Sequence, residues 1–230
     1  MKSFWTTAAS VECDGGWRIE LDGRPLKTPA RVDLLVPTEA LARAIADEWQ
    51  TAPDGEIDPR AMPLTGLANG AIDRIAIARE AFAADLAAFA TNELFCYRAD
   101  HPDALVEREA AAWDPLLEWA RERYDVSFEV TQGVAPIDQP PATLERLGAA
   151  VTAEEPFALA GLSSLVRNGG SLVAALAVRH GAIAPEEAWE AVEADRLYQV
   201  EQWGADEEAE KAAAARRGDF LNGARLLELL

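Results

Sequence analysis

The sequence predicts an α+β fold, with a small N-terminal β-meander domain followed by a larger multihelical domain. Three observations lead there. Up to Val36 the chain offers short alternating runs separated by Asp-Gly and Gly-Gly turns. From Thr143 onward the segments repeat apolar residues at three- and four-residue spacing, the period of a helix with one buried side. Half of the 230 residues are hydrophobic but only 7% are aromatic, which suits alanine- and leucine-rich helices better than a sandwich. The expected division is 1–60 for the β-rich part, which includes one helix, and 61–230 for the helical part.

Phe4 to Cys13 reads as a first strand and Trp17 to Leu21 as a second, with Asp14-Gly15-Gly16 as the turn between them. In the second, Trp17, Ile19 and Leu21 alternate with Arg18 and Glu20, as in a strand buried on one face. Asp22-Gly23 supplies the positive φ angles of a two-residue hairpin. Arg24 to Lys27 and Asp33 to Val36 are short extended runs, closed off by Pro29 and Pro37. Thr38 then caps a helix whose apolar side is Leu41, Ile45 and Trp49. That helix is the nearest cover for a sheet too small to stand alone in water.

Residues 51–64 carry three prolines and a glycine and read as a loop and domain boundary. A long alanine-rich helical stretch opens at Thr65, with a break near Ala78. Pro102 starts a helix that reaches Trp113, and Asp114-Pro115 ends or kinks it, leaving Asp114 as cap for LLEWARERY. Val126, Phe128 and Val130 alternate and predict a strand over 126–130 that returns to the N-terminal sheet, because a lone strand leaves its backbone unpaired. SLVAALAVRHG is apolar on most sides and belongs at the centre of the helical part. Pro185 starts a helix leading to Trp203-Gly204. The last helix runs from Asp206 to Arg217, before an apolar tail of Phe220, Leu221, Leu226, Leu227, Leu229 and Leu230.

The formal charge of −19 and a pI near 4.4 exclude nonspecific nucleic-acid binding, which needs cations to replace counterions. The same charge repels an anionic membrane surface, and no stretch approaches the roughly 20 apolar residues of a membrane span. Cys13 and Cys96 lie far apart without CxxC spacing, so neither a disulfide framework nor a zinc site is expected. The first residues show neither a secretory apolar core nor an Arg- and Ser-rich leader. A bacterial cytoplasmic protein is expected, with a mature mitochondrial matrix form as the alternative.

Catalytic signals are absent. GxSxG, HExxH and GxxxxGK[ST] do not occur, so nucleophile-elbow, zincin and P-loop chemistry lack their parts. His101 precedes Pro102 in a helix cap, and His180 lies in a last helical turn where a cation suits the dipole. Asp73-Arg74 reads as an internal ion pair or a solvated face. Asp206, Glu207 and Glu208 are consecutive acids in a helix's first turn, which the dipole already explains without a metal. No catalytic residue, metal site or cofactor is expected.

The stretch from Glu186 to Glu210 says more. It holds ten acidic residues against one basic, Arg196, for a local charge of −9. On one helix, Trp189, Val192, Val200 and Trp203 would cluster within about 80°, with Arg196 and Gln199 on the same side. Unpaired buried polar groups are costly, so Arg196 and Gln199 either meet a buried acid or face a partner. Tryptophan, arginine and glutamine ringed by acids have the make-up of an interface.

The runs DGRPLKTP, VPTEALARAIADEW and DPRAMPLTGLANGAIDRI, then WDPLLEWA and YQVEQWGADEEA, resemble in the same order the assembly chaperone of the F-type ATP synthase alpha subunit. That family occurs in mitochondria and alpha-proteobacteria. The resemblance spans nearly the whole chain and rests on the ordered set of segments, none of which encodes chemistry. It implies a β-containing N-terminal domain and a helical domain. It also implies a non-enzymatic protein that binds the unassembled alpha subunit and shields its subunit interface until the beta subunit replaces it. At Arg196 this chain departs from the family, which has an acid there. Trp203, Asp206, Glu207 and Glu208 stand where the family keeps its acidic cluster. With Trp189, Arg196 and Gln199 they form the expected partner-binding set, and a monomer is the favoured state. The alternatives are a small-molecule enzyme using carboxylates in an inter-domain cleft, and a helical regulatory or scaffold protein.

Overall fold

The computed structural model describes residues 5–52, 58–133 and 135–230. The chain forms two compact units. One comprises Met1–Arg79, Glu155–Gly161 and Arg225–Leu230, and the other Glu80–Glu154 and Leu162–Ala224.

In the first unit, β1 (Ala8–Cys13) and β2 (Gly16–Leu21) form an antiparallel hairpin with Cys13 opposite Gly16 and Ala8 opposite Leu21. The other edge of β2 pairs with β3 (Arg24–Pro25) and β4 (Leu35–Val36). The meander therefore matches the sequence expectation, with β3 and β4 shorter than expected and β2 starting one residue earlier; the expected start of β1 at Phe4 lies outside the described residues. At the hairpin tip Asp22 and Gly23 have φ of 49° and 75°, and the Asp22 carboxylate accepts from the Thr6 and Thr7 amides. Gly16 is required for a different reason: a Cβ there would stand 2.5 Å from the Val36 carbonyl oxygen.

The sheet is covered by α1 (Glu39–Gln50), whose Leu41, Ala42 and Ile45 are fully buried with Ile19 and Leu34. Thr38 Oγ1 accepts from the Leu41 amide at 3.2 Å, the expected cap. Trp49 lies at the edge of this core, its ring 5.0 Å from Trp5 in an edge-on arrangement.

The first unit continues past residue 60 because α1 holds the next helix, α2 (Pro63–Gly70). The Glu48 carboxylate accepts from the Leu64 and Thr65 amides at 2.7 and 2.9 Å, supplying the cap that Met62 lacks. Residues 53–57 of the expected boundary loop lie outside the described residues. After α2 the chain takes a π-helical turn, Ala71–Ile75, before α3 (Arg79–Ala87). Asp73 on that turn accepts from the Thr28 hydroxyl at 2.7 Å and the Ala30 amide at 3.0 Å. It therefore fastens the loop before β4 and is neither paired with Arg74 nor left to solvent.

The second unit is helical. Two short 3-10 turns lead to β5 (Tyr97–Arg98), followed by α4 (Asp103–Tyr124), β6 (Thr131–Gln132), α5 (Pro141–Thr152) and α6 (Pro156–Gly169), whose first residues belong to the first unit. Next come α7 (Leu172–Arg179), α8 (Pro185–Val192), α9 (Ala194–Trp203) and α10 (Glu207–Glu228). Leu172 to Ala177 of α7 are all buried, as their unbroken apolar run predicts.

Four expectations are corrected here. The strand predicted over 126–130 does not form. The pairing is at Thr131–Gln132, parallel to Tyr97–Arg98 within the second unit, and it does not return to the N-terminal sheet. The 126–130 backbone is held by side chains instead, with Thr143 and Gln139 bonding Ser127 and Glu129. Next, α4 runs unbroken through Pro115, since Trp113, Leu116, Leu117 and Ala120 are buried around it and offset the lost hydrogen bond. Asp114 consequently caps nothing and pairs with Arg98 at 2.7 Å. Third, the helix read as continuous to Trp203 divides at Glu193, whose ψ of 8° turns the chain between α8 and α9. Finally, α10 extends to Glu228, absorbing the apolar tail: Phe220 and Leu226 are fully buried.

Candidate partner-binding surface

The α8–α9 junction is built around Glu193, which is 5% exposed. An acid this deep needs partners, and two arginines supply them. Arg196, one helical turn on, bonds its carboxylate, and Arg216 of α10 reaches it at 2.9 Å. Arg196 also contacts Glu210 at 2.5 Å, so this side chain joins α9 to α10. Beneath lies Trp189, 5% exposed, with its ring 5.4 Å from Phe220 and the Arg216 guanidinium 5.6 Å from its centre.

This geometry separates the seven residues singled out from the sequence. Trp189 and Arg196 are engaged inside the unit, the first as core and the second as a clamp to two acids. Gln199 is exposed and donates to Asp195, four residues back, at 3.0 Å. Trp203 is 79% exposed at the end of α9, where Gly204 turns the chain with φ of 89°. Asp206 caps α10 by accepting from the Ala209 amide at 2.8 Å. Glu207 pairs with Lys211 at 2.5 Å on an open surface. Glu208 is exposed and has no cationic partner among the described residues. Trp203, Asp206, Glu207 and Glu208 are thus all exposed at the α9–α10 connection, whereas Trp189 is buried against Phe220 and Arg196 is tied to Glu193 and Glu210. The stripe projected from sequence does not exist as one surface, because the turn at Glu193 breaks its period.

Sequence reasoning missed the neighbouring groove. A depression of about 610 Å³ opens between α4 and the α8–α9 pair. Pro115, Trp119, Ile183 and Leu197 supply its apolar lining, Glu187 and Glu190 line it from α8, and Arg108 with Glu201 lies among its walls. The signal for it was faint: Ala111-Ala112 before Pro115 leaves one side of α4 without bulk.

Two further buried acids, Glu93 and Glu109, hold structure. Glu93 is fully buried and accepts from Ser171 Oγ at 2.5 Å and from the Leu172 and Val173 amides at 3.0 and 3.1 Å, closing the N-terminus of α7. Burial raises its carboxyl above the usual range against the pull of those donors. Burial likewise raises Glu109, which accepts from the Ala99 amide at 2.8 Å, with Asp195 adding repulsion. Burial pushes the Cys96 thiol up to about 12, so it stays protonated and unreactive at neutral pH. Among the described residues no group of three His, Cys, Asp or Glu side chains is placed to hold a metal ion, and no helix is long and apolar enough to cross a membrane.

Comparison with known proteins gives the family. Residues 2–121 match the family model described as ATP12 chaperone protein. A curated relative, the mitochondrial protein atp12 of Schizosaccharomyces pombe, is 27% identical over 219 residues, covering 90% of this chain and 75% of its own. The crystal structure of Atp12 from Paracoccus denitrificans is 43% identical with a TM-score of 0.95, covering 99% of this chain and 97% of that one. A point mutant of the same Paracoccus protein matches at 42% identity and a TM-score of 0.95, with the same coverage. A protein of Agrobacterium tumefaciens matches at 36% identity and 0.94, over 99% of this chain and 85% of its own. The class is that of a non-enzymatic assembly chaperone. The chain belongs to the ATP12 family, the chaperones of ATP synthase assembly.

Proposed function

We propose that this chaperone binds the unassembled alpha subunit of the F-type ATP synthase catalytic head and shields its subunit interface until the beta subunit displaces it. A subunit of an obligate ring exposes a large apolar surface before assembly, and an unoccupied surface of that kind aggregates. The observation that carries this reading is Trp203. A tryptophan left 79% exposed on a folded unit, beside Asp206, Glu207 and Glu208, has the anchor-and-rim composition of a protein-binding site. Gln199 extends that surface, while Trp189 and Arg196 hold its two helices in place. The site of action is the bacterial cytoplasm, and the chaperone works as a monomer without a cofactor.

Co-expression with the alpha subunit of the same organism tests this. Soluble alpha subunit recovered in complex with the chaperone is the expected result. Alpha subunit that remains insoluble beside folded chaperone overturns it.

A further inference from the structure

The groove between α4 and α8–α9 has an orientation as well as a volume. At one end Arg108 of α4 holds Glu201 of α9 through both carboxylate oxygens, at 2.8 and 2.9 Å. At the other end Trp119 faces the α7–α8 connection, with its ring 6.2 Å from His180 and Ile183 beside it on the groove wall. Trp119 stands eleven positions after Arg108 on α4, or about 16 Å along the helix axis. That length matches three turns of a bound helix. The floor is apolar, from Pro115, Leu116 and Leu197. The α8 wall carries Glu187 and Glu190, exposed and without cationic partners among the described residues. Arg108 Nη1 is buried without an acceptor, although Nη2 is fully used by Glu201.

We propose that this groove seats one amphipathic helical segment of the client, about three turns long, with an apolar face on the floor and lysine or arginine along the edge facing Glu187 and Glu190. The charge pattern selects the occupant. Two unpaired carboxylates on the wall repel an acidic segment and favour a basic one. This inference rests on the client-binding reading and deepens it, because it assigns the contact to a wall of α4 that the Trp203 surface does not include.

Two variants of the full chain test it: Ala111→Trp, which fills the groove from an exposed position on α4, and the double reversal Glu187→Lys with Glu190→Lys. Both are checked for an unchanged melting curve. Binding is measured to the alpha subunit and to a synthetic twelve-residue helix with leucine on one face and lysine on the other, beside the same peptide carrying glutamate for lysine. The lysine peptide is expected to bind wild type at least roughly tenfold tighter than the glutamate peptide, and each variant to lose that preference. Alpha-subunit affinity is expected to fall by a similar factor. If the alpha subunit binds wild type and both variants equally, or the two peptides bind alike, the groove inference is overturned while the proposed client stands. If the alpha subunit does not bind wild type but the lysine peptide does, the named client is wrong and the groove assignment survives.

Discussion

Ser171 Oγ lies 2.5 Å from the Glu93 carboxylate, and this fully buried pair closes the N-terminus of the most deeply buried helix, α7. Ser171 also accepts from the Ala174 amide at 2.9 Å, so one hydroxyl serves both as the cap of α7 and as a donor to Glu93. Replacing Glu93 with alanine strands that hydroxyl and the amides of Phe95, Leu172 and Val173 in the core. The expected cost is about 3 kcal/mol or more, read as a lower chemical-denaturation midpoint.

The same carboxyl sets a pH dependence. Burial holds its folded pKa above the unfolded value, so the folded state keeps the proton when the unfolded state has lost it. Its contribution is therefore present below the ordinary carboxylate range and declines as pH rises through the folded pKa. Relative to Glu93→Gln, which does not titrate, wild type should lose stability as pH is raised through that window. Parallel curves of melting temperature against pH would refute the assignment.

Glu193 gives a second stability prediction. It gathers Arg196 and Arg216, and with them α9 and α10, onto one buried acid. Glu193→Ala leaves Arg196 with Glu210, and Arg216 with the Asn168 carbonyl and the Trp189 ring. We expect a loss of about 2–4 kcal/mol. Proteolytic nicking between α9 and α10 should increase, and an unaltered cleavage pattern would argue against the clamp.

At Gly16 the constraint is steric. A methyl group there meets the Val36 carbonyl oxygen at 2.5 Å, on a backbone whose φ of 145° L side chains rarely adopt. Gly16→Ala should cost about 2–3 kcal/mol by pushing β4 off β2. Gly66→Ala, where a Cβ meets nothing, is the control and should be neutral or stabilising.

The proposed client surface predicts the opposite pattern. Trp203→Ala and the pair Glu207→Lys with Glu208→Lys alter exposed side chains, so stability should shift by less than about 0.5 kcal/mol. Alpha-subunit binding should weaken by at least roughly tenfold. Unchanged binding and client solubility in the double reversal would remove these acids from the site.

Local signals carried the first unit well. The Asp22-Gly23 turn, the Thr38 cap and the alternation of Trp17 to Leu21 are written within a few residues, and each appears in the structure. What failed was context over longer distances. Pro115 reads as a helix end until one sees the buried Trp113, Leu116 and Leu117 that keep α4 intact. The turn at Glu193 has no glycine or proline to announce it, and the arginine that meets the acid there, Arg216, comes twenty-three residues later. Trp189 and Trp203 look alike on a helical wheel, yet one is core and the other is open to solvent. The groove needed both walls in place before it had any meaning.

Pro115 has one more effect. It brings no N–H to the ladder of α4, so the Ala111 carbonyl four residues earlier lacks its usual donor, and both residues line the groove. That oxygen keeps a bonding capacity its own helix does not use, in the same turn that lines the groove. The proline that threatens the helix thus leaves a polar spot in an otherwise greasy trough, and a segment seated in the proposed way would meet it there.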